Sequence, residues 1–259
     1  MKKIFAILSV VVMALTACTQ QTHKVKVLAH RGHVSAGKEV VTDENSLDAL
    51  RRAQELGVNG VEFDVHLTAD NQLVVHHDNK IAEGLSCQGS TFDEIRAYRL
   101  PFGNQIPTPR EWLEQAKQTP HIMQMIEIKA HKKEGSEAEI VRQTLAIIHE
   151  LDMLDQICFV SFNSNTLDEV KRQEPNAKVV FNSSSLSKSW PPKKVHEHGY
   201  DAVSYNVSVI LNRTEWIEEF RSYGIDTFLW MVNSDLLHDI ASECRFDWIT
   251  SDYCELFVK

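Results

Sequence analysis

Residues 60–78 read GVEFDVHLTADNQLVVHHD, in which two apolar runs rich in valine flank a short polar stretch. The first run, Gly60 to His66, and the second, Leu73 to Val75, have the composition of β-strands. Only Leu67 to Gln72 separate them, whereas two parallel strands need a connection of about ten to twelve residues or more. We therefore predict that the two runs form an antiparallel hairpin.

The rest of the chain alternates short apolar runs with helical segments. Besides the hairpin, the predicted strands are Val25 to Ala29, Ile122 to Ile128, Ile157 to Ser161, Lys178 to Phe181, Ala202 to Ser204, Asp226 to Met231 and Trp248 to Thr250. Apolar residues spaced three and four apart predict helices at Ser46 to Leu56, Pro109 to Gln118, Ser136 to Leu151, Thr166 to Gln173, Thr214 to Tyr223 and Asp235 to Cys244. Repeated strand and helix predict a parallel sheet.

Without the return strand of the hairpin, eight parallel strands remain, and the 242 residues from Cys18 to Lys259 suit the roughly 250 of an eight-stranded β/α barrel. A hydrophobic fraction of 43%, with 10 Gly and 7 Pro, excludes disordered and fibrous proteins. We predict an α/β protein in which residues 25–259 form one (β/α)8 TIM barrel, with a β-hairpin extension after the second strand. The stretch Asn182 to Lys194 is predicted to be a long loop at the barrel mouth.

The first residues have the pattern of an export signal. Lys2 and Lys3 precede an apolar run from Ile4 to Leu15, and Leu-Thr-Ala-Cys follows, ending at Cys18. The run is shorter than the roughly 20 residues that a membrane-spanning helix needs. We predict a bacterial lipoprotein signal peptide over residues 1–17, a lipidated Cys18 and a tether over residues 18–24. The protein would then be held at the cell envelope, periplasmic or on the outer surface.

The net charge of the chain limits the classes of partner that it can bind. The chain has 27 basic and 36 acidic side chains, a formal net charge of -9, which disfavours nucleic acid and anionic lipid surfaces. Membrane attachment would therefore come from acyl chains on Cys18. Four other cysteines follow, of which Cys244 and Cys254 are close enough in sequence for a disulfide. The absence of a CxxC motif or a Cys/His metal spacing disfavours zinc.

Polar residues cluster where the predicted strands end. In a β/α barrel the functional side chains lie at the carboxyl ends of the strands and in the loops after them. The candidates at these places are His30, Arg31, Glu62, Asp64, His77, Glu127, Lys129 and Trp230.

The hairpin brings part of this set together. Glu62 and Asp64 are two residues apart and share one face of their strand. A turn centred on residues 69 and 70 would place His77 opposite Glu62, and directly opposed residues share a face. Glu127 and Lys129 share a face of the next strand for the same reason. The sequence thus predicts one wall of acidic, basic and imidazole groups.

This group of side chains suits metal-assisted chemistry on an anion. Three carboxylates without a cysteine form a hard oxygen site for Ca²⁺ or Mg²⁺. With a dication, Arg31 and Lys129 leave the site with one net positive charge, which suits a phosphodiester. Two histidines, His30 and His77, can supply a general acid and a general base near neutral pH.

Several short motifs follow one another along the chain. In order, they are His30-Arg31-Gly32, Glu44-Asn45-Ser46, Glu62-Phe63-Asp64-Val65, Val74-Val75-His76-His77-Asp78, Glu127-Ile128-Lys129, Ser161-Phe162, Trp230-Met231-Val232-Asn233 and Ile249-Thr250-Ser251-Asp252. Each motif is weak alone, but their order and spacing are specific, and they span nearly the whole chain after Val27. Together they resemble the motifs of the glycerophosphodiester phosphodiesterases.

The resemblance implies a barrel that hydrolyses glycerophosphodiesters to glycerol 3-phosphate and an alcohol with a divalent cation. It implies His30 and His77 as the acid–base pair, without assigning either role. It further implies metal ligands at Glu62, Asp64 and Glu127, and phosphoryl contacts at Arg31 and Lys129. Trp230 is predicted to contact substrate, through glycerol carbons or a choline-like cation.

Departures from the family pattern leave the substrate open. Ser46 replaces the usual Thr, Met231 stands where many members carry Thr, and residues 79–107 are short for the insertion that some members use to cover glycerol. The alternatives are a phospholipase C- or D-like hydrolase of phosphatidylinositol or lysophospholipids, and a non-catalytic envelope binding protein. The natural diester, the cation and the oligomeric state are not determined by the sequence.

Overall fold

The structure is a computed structural model that describes residues 24–37 and 39–258. The predicted signal peptide and the tether up to His23, with Cys18, lie outside the described residues. Within the described ranges, no helix combines the length and hydrophobicity that a bilayer-spanning segment requires.

A closed barrel of eight parallel strands forms the centre of the protein, as predicted. Strand β1 pairs with both β13 and β4, which closes the sheet in the order β1-β13-β12-β11-β10-β9-β8-β4. The barrel strands are β1 (Lys26–Ala29), β4 (Gly60–Leu67), β8 (Met123–Ile128), β9 (Ile157–Ser161), β10 (Lys178–Ser183), β11 (Ala202–Asn206), β12 (Asp226–Trp230) and β13 (Trp248–Ser251).

The predicted hairpin is present, but its register was predicted wrongly by one residue. Strand β5 (Leu73–Val75) pairs antiparallel with β4, with Val65 opposite Val75. If this register continued two residues past Val75, it would place Phe63, rather than Glu62, opposite His77. The ladder ends at Val75, so His77 reaches the site from the segment after the strand.

Helices surround the barrel, and several of them begin at an N-cap residue whose side chain accepts a hydrogen bond from the first turn. They are α1 (Leu47–Leu56), α2 (Phe92–Ala97), α3 (Pro109–Ala116), α4 (Ser136–Leu151), α5 (Ser164–Gln173), α6 (Pro192–Glu197), α7 (Val207–Ile210), α8 (Glu215–Ser222) and α9 (Asp235–Glu243). Thr108 illustrates the cause: its hydroxyl accepts from Glu111 N while Glu111 caps the Thr108 amide, and Pro109 follows at the first helical position.

The interior of the barrel is a layer of buried apolar side chains, one or two from every barrel strand except β4. Its members are Leu28, Met125, Cys158, Val160, Val180, Ala202, Phe228 and Trp248. Because side chains alternate along a strand, the residue two positions later also points inward, one layer nearer the mouth. Alternating neighbours point outward and pack under the helices. The inner layer therefore fixes which residues can form a site.

Two glycines allow close approaches that a side chain would block. Gly32 has a φ of +86°, and a Cβ there would lie 2.6 Å from the Ala49 Cβ of α1. The turn after β1 thus packs directly against α1. At Gly60, a Cβ would meet Leu28 Cδ1 at 2.6 Å inside the barrel.

A small module covers the outer side of the hairpin. It consists of β6 (Lys80–Ala82), β7 (Leu85–Ser86) and α2, whose apolar side chains pack with Val74, Cys87, Ile95 and Ile106 in a separate buried cluster. This is the short segment expected from residues 79–107, and it leads the chain from the site back to α3.

The segment that follows β1 meets the C-terminal turn of the described chain. Short strands β2 (Ser35–Ala36) and β3 (Glu39–Val40) follow β1, and the final 3₁₀ turn, Cys254–Leu256, follows β13. Glu255 accepts from Ser35 Oγ and Gly37 N, and His33 Nδ1 lies 3.4 Å from Cys254 Sγ. We call these contacts the seam.

Cys244 and Cys254 are close enough in sequence for a disulfide but do not form one. All four cysteines of the described residues are free. Cys254 is instead buried against His33 in the seam, which leaves it in contact with an imidazole rather than with Cys244.

Candidate active site

A cavity of about 270 Å³ opens at the carboxyl ends of the barrel strands. Many of its lining residues stand two positions after a member of the buried inner layer, as the alternation of strands requires. The lining consists of Leu28, His30, Arg31, Glu62, His77, Met125, Glu127, Val160, Phe162, Asn182, Ser204, Trp230, Met231 and Thr250.

Three carboxylates converge on the β4–β8 side of this cavity. One oxygen each from Glu62, Asp64 and Glu127 lies within 4.8 Å of the others. Asp64 and Glu127 are direct neighbours across the β4–β8 ladder. All three side chains are buried or nearly so, with Asp64 fully covered.

Burial and mutual repulsion act on the pKa values of the three carboxyl groups. Burial and the charges of Asp64 and Glu127 raise the pKa of Glu62 well above its ordinary value. Burial and Asp64 also raise the pKa of Glu127. Burial opposes ionisation of Asp64 as well, but Lys129, His77 and Arg31 together lower its pKa to about 2.

The donor set fits a divalent cation. Three carboxylate groups without a sulfur ligand, close enough to share one ion, are the hard oxygen donors that Ca²⁺ and Mg²⁺ prefer. Such an ion would also offset the burial and the mutual repulsion that raise the pKa of Glu62 and Glu127. Glu62, Asp64 and Glu127 can therefore hold a hard divalent cation.

Asn45 holds Asp64 in place. Its Nδ2 donates to Asp64 Oδ2 at 2.7 Å, and its Oδ1 accepts from Asp64 N at 3.1 Å. The residue takes a φ of +54°, a conformation that Asn tolerates better than most side chains. The Asn of the Glu44-Asn45-Ser46 motif thus orients a carboxylate of the site.

Both predicted cations contact the carboxylates. Lys129 Nζ lies 2.7 Å from Asp64 Oδ1 and 2.8 Å from Glu127 Oε1. Arg31 donates through its Nη1 to both carboxylate oxygens of Glu44, and its backbone N–H donates to Glu62 Oε2. Burial opposes the charge of Lys129, yet Asp64 and Glu127 raise its pKa, so the ammonium stays charged.

His30 is oriented by a chain of polar groups that crosses from β1 to the end of β13. Its Nδ1 lies 2.7 Å from Asp252 Oδ1. Asn233 Nδ2 donates to Asp252 Oδ2, and Asn233 Oδ1 accepts from the Asp252 backbone N–H. Burial opposes ionisation of Asp252, but its bond with His30 and that with Asn233 lower its pKa. The Nε2 of His30 is left for the cavity.

His77 has a similar but more exposed arrangement. Its Nδ1 lies 2.9 Å from Asp78 Oδ1, and its backbone carbonyl accepts from His66 Nε2 at 3.1 Å. His66 must carry its proton on Nε2 to make that bond, because a carbonyl only accepts. Burial lowers the pKa of His66 to about 4, so it remains a neutral support behind His77.

The far side of the cavity is uncharged. Trp230 Nε1 donates to Ser204 O at 3.0 Å, and Phe162 meets the Trp230 ring edge-on at a centroid distance of 6.1 Å. Asn182 and Ser204 are neighbours across the β10–β11 ladder. We call Phe162, Asn182, Ser204, Trp230 and Thr250 the neutral wall.

The structure brings the eight predicted site residues together. Six of them line the cavity, namely His30, Arg31, Glu62, His77, Glu127 and Trp230. Asp64 and Lys129 lie directly behind the lining and are ion-paired with each other. Their roles in metal binding and catalysis stay predictions.

Sequence reasoning assigned no role to three side chains of the site, Asn45, Asn182 and Asp252. Asn182 was placed in a loop, but β10 continues to Ser183 and turns it inward. A signal existed, because Asn182 stands two residues after Val180 of the inner layer, just as Trp230 follows Phe228. His33 also lies close to Cys254 and Glu255, a grouping that the sequence did not reveal.

Comparison with known proteins agrees with this geometry. The profile of the Glycerophosphoryl diester phosphodiesterase family matches residues 30–256. A glycerophosphodiester phosphodiesterase from Caldanaerobacter subterraneus subsp. tengcongensis is 29% identical over 250 residues, covering 91% of this chain and 97% of that protein.

Solved structures share the fold. A glycerophosphodiester phosphodiesterase from Parabacteroides distasonis superposes with a TM-score of 0.84 at 30% identity, over 91% of this chain and 96% of that one. A phosphodiesterase from Oleispira antarctica, solved in complex with the product sn-glycerol-3-phosphate, has a TM-score of 0.78 at 22% identity, over 90% and 94%. Because the family profile spans most of its length, this chain is an enzyme of the glycerophosphoryl diester phosphodiesterase family.

Proposed function

We propose that this enzyme hydrolyses glycerophosphodiesters to sn-glycerol 3-phosphate and an alcohol, that it needs one divalent cation, Ca²⁺ or Mg²⁺, and that His30 and His77 transfer the protons. The observation that carries the proposal is that two carboxylate-held imidazoles and a three-carboxylate group open on one cavity. The product held by the Oleispira antarctica relative supports the same reaction.

Each residue has a place in this reaction. Glu62, Asp64 and Glu127 would hold the cation, which when bound supplies positive charge for the phosphoryl oxygens. Arg31 lines the cavity and would contact those oxygens, whereas Lys129 stays charged between Asp64 and Glu127 and adds to the positive field.

The two histidines divide the proton transfers. One imidazole takes a proton from the attacking water as the new P–O bond forms. The other gives a proton to the leaving oxygen as the old P–O bond breaks, so that an alcohol leaves instead of an alkoxide. Both rings have Nδ1 engaged by a carboxylate, which leaves Nε2 for the substrate.

The test measures product release by the purified protein after exhaustive chelation and again after addition of Ca²⁺ or Mg²⁺. We expect chelation to abolish turnover of glycerophosphocholine and one of the two ions to restore it. Full turnover after complete metal removal would disprove the metal requirement. Lysophosphatidylcholine and phosphatidylinositol, assayed in parallel, distinguish the phospholipase alternatives, and a lack of turnover of all three would favour a binding protein.

The histidines are tested separately. His30→Ala and His77→Ala should each lower kcat by roughly 10²- to 10⁴-fold, because each removes one proton transfer. His121→Ala changes an exposed histidine remote from the cavity lining and serves as the control. A double variant with wild-type kcat would exclude acid–base catalysis by these residues.

The proposal places the enzyme at the cell envelope through a lipid on Cys18. It is supported by the sequence pattern of residues 1–18. Metabolic labelling with a radioactive fatty acid tests it: wild-type protein should carry label in the membrane fraction, and Cys18→Ala protein should not. Unlabelled wild-type protein in the soluble fraction would contradict the anchor.

A further inference from the structure

The neutral wall contains a buried polar atom that no protein group satisfies. Asn182 is 8% exposed, lines the cavity, and its Oδ1 has no hydrogen-bond partner among the described residues. Buried amide oxygens in folded proteins nearly always have a partner, from the protein, from water or from a ligand. Asn182 lines the cavity and carries an unpaired amide oxygen, so its side-chain amide is a position for a ligand hydroxyl.

The position of Asn182 in the barrel indicates which part of a substrate it would meet. Strand β10 lies four steps from β1 in either direction around the eight-stranded barrel. Asn182 and His30 therefore face each other across the same cavity of about 270 Å³. A phosphodiester whose phosphoryl group lies among His30, Arg31 and the carboxylates has two ester arms, and one of them can extend toward Asn182 on β10.

The chemistry of the wall selects the atoms of that arm. All five residues of the neutral wall are uncharged, so this wall suits an uncharged part of a ligand. The indole of Trp230, held by Ser204 O and by the edge contact with Phe162, offers a flat apolar surface to carbon. Asn182 adds a hydrogen-bond acceptor beside it, and this combination fits the carbon chain of a polyol that ends in a hydroxyl group.

We propose that Asn182 determines specificity by accepting, at Oδ1, a hydrogen bond from the glycerol hydroxyl that lies farthest from phosphorus. This inference rests on the proposed function, because it names the glycerol half of a glycerophosphodiester as the occupant of the neutral wall. The enzyme would then distinguish glycerophosphodiesters from diesters of alcohols that lack this hydroxyl.

The test compares two substrates and two variants, all with the metal-loaded full chain. The substrates are glycerophosphocholine and the analogue in which glycerol is replaced by propane-1,2-diol, esterified at its primary oxygen, so that only the far hydroxyl is missing. Asn182→Leu removes the amide at nearly constant volume. Asn176→Leu makes the same change at an exposed turn residue and is the matched control.

We expect the wild-type enzyme and Asn176→Leu to prefer glycerophosphocholine by about 10- to 100-fold in kcat/KM, since a site that pairs with a substrate hydroxyl rejects the analogue without it. Asn182→Leu should lose that preference, with the loss on glycerophosphocholine alone. Equal losses on both substrates, or an unchanged preference, would overturn the inference. If Asn182→Leu does not fold, as judged by circular dichroism, Asn182→Ala takes its place.

The outcome separates this inference from the proposed function. If the wild-type enzyme turns over neither substrate, nor any other glycerophosphodiester, the proposed function fails. If it turns over both equally well, the reaction stands and the role of Asn182 is wrong. A third comparison uses glycerophosphodiesters that differ only in the leaving alcohol. If Asn182→Leu changes the preference of the enzyme among these substrates, the neutral wall contacts the leaving group, and the inference is overturned.

Discussion

At the scale of single residues, the two candidate catalytic histidines differ in how firmly they are held. Asp252 accepts from His30 and is itself fixed by two hydrogen bonds with Asn233. The Asp78 that contacts His77 is 73% exposed in its side chain. The Asp252 side chain is 39% exposed, about half as much as that of Asp78. Because a pre-oriented carboxylate fixes both the tautomer and the angle of an imidazole, Asp252 is a positioning residue for His30.

Replacing Asp252 by Asn should lower kcat by roughly 10²- to 10⁴-fold, because an amide at this place no longer favours the Nδ1–H tautomer or a protonated ring. KM should change little. The pH–rate profile should also change, because Asp252, whose pKa is lowered by its bond with His30, no longer contributes a charge; a purely structural role would not cause this. Steady-state kinetics from pH 5 to 9 measure both effects.

The control for this change is Asp239→Asn, which alters another carboxylate beside a histidine, His238, on the exposed side of α9. It should leave kcat and the pH–rate profile unchanged. A loss of kcat in Asp252→Asn with an unmoved profile and a lowered melting temperature would show that Asp252 stabilises the fold and does not position His30.

At the scale of elements, the turn between β1 and α1 carries His30, Arg31 and Gly32 and is built without room for a side chain at Gly32. Its φ of +86° and the 2.6 Å approach of a Cβ to Ala49 act together. We expect Gly32→Ala to lower the free energy of unfolding by about 2 to 4 kcal/mol, combining backbone strain with overpacking. Urea unfolding followed by fluorescence measures it.

Gly57→Ala provides the comparison, because Gly57 ends α1 with a φ of +76° but has nothing within 4 Å of an added Cβ. This variant should lose only about 1 kcal/mol. Equal losses in the two variants would mean that backbone strain alone decides, and that the contact of the turn with α1 contributes nothing.

The elements also show where sequence reasoning stops. The short connection between β4 and β5 was sufficient to predict the hairpin. Its register was not readable, because side chains in the turn set it: Thr68 Oγ1 accepts from Gln72 N, and Asn71 takes a φ of +59°. Such local bonds to the backbone lie outside the period-two pattern from which register was inferred.

The site residues divide in the same way, into those that the sequence identifies and those that it does not. Charged residues at strand ends could be recognised, since acids, bases and imidazoles have a chemical meaning on their own. Asn182 could not, because its importance depends on whether β10 ends at Phe181 or continues to Ser183. Asp252 depends on closure of the barrel, which brings residues 222 positions apart into contact.

At the scale of the whole molecule, the closure of the barrel also brings part of the site together. The pair of His30 with Asp252 spans the junction of the first and last strands. The seam lies immediately beside it, since Ser35 Oγ donates to Asp252 O and to Glu255. Loss of the seam contacts would therefore loosen the carboxylate that holds His30.

The seam gives the fold a dependence on pH. His33 is 7% exposed; burial and Arg52 lower its pKa, while Glu255 opposes them. The folded protein therefore binds a proton at His33 less readily than the unfolded chain, where a histidine titrates near 6.5. The stabilising effect of a neutral His33 is complete above that value and is lost as the pH falls through it.

We predict that the free energy of unfolding of the wild-type protein decreases between pH 7.5 and pH 5.5, and that His33→Asn, which cannot be protonated, shows a smaller decrease. The groups that face His33 are Glu255, Cys254 and Arg52, and all three remain in the variant. Urea unfolding at the two pH values, with the exposed His121→Asn as control, measures the difference in slope. If His33→Asn and wild type lose the same free energy on acidification, the acid sensitivity of the fold does not arise at the seam.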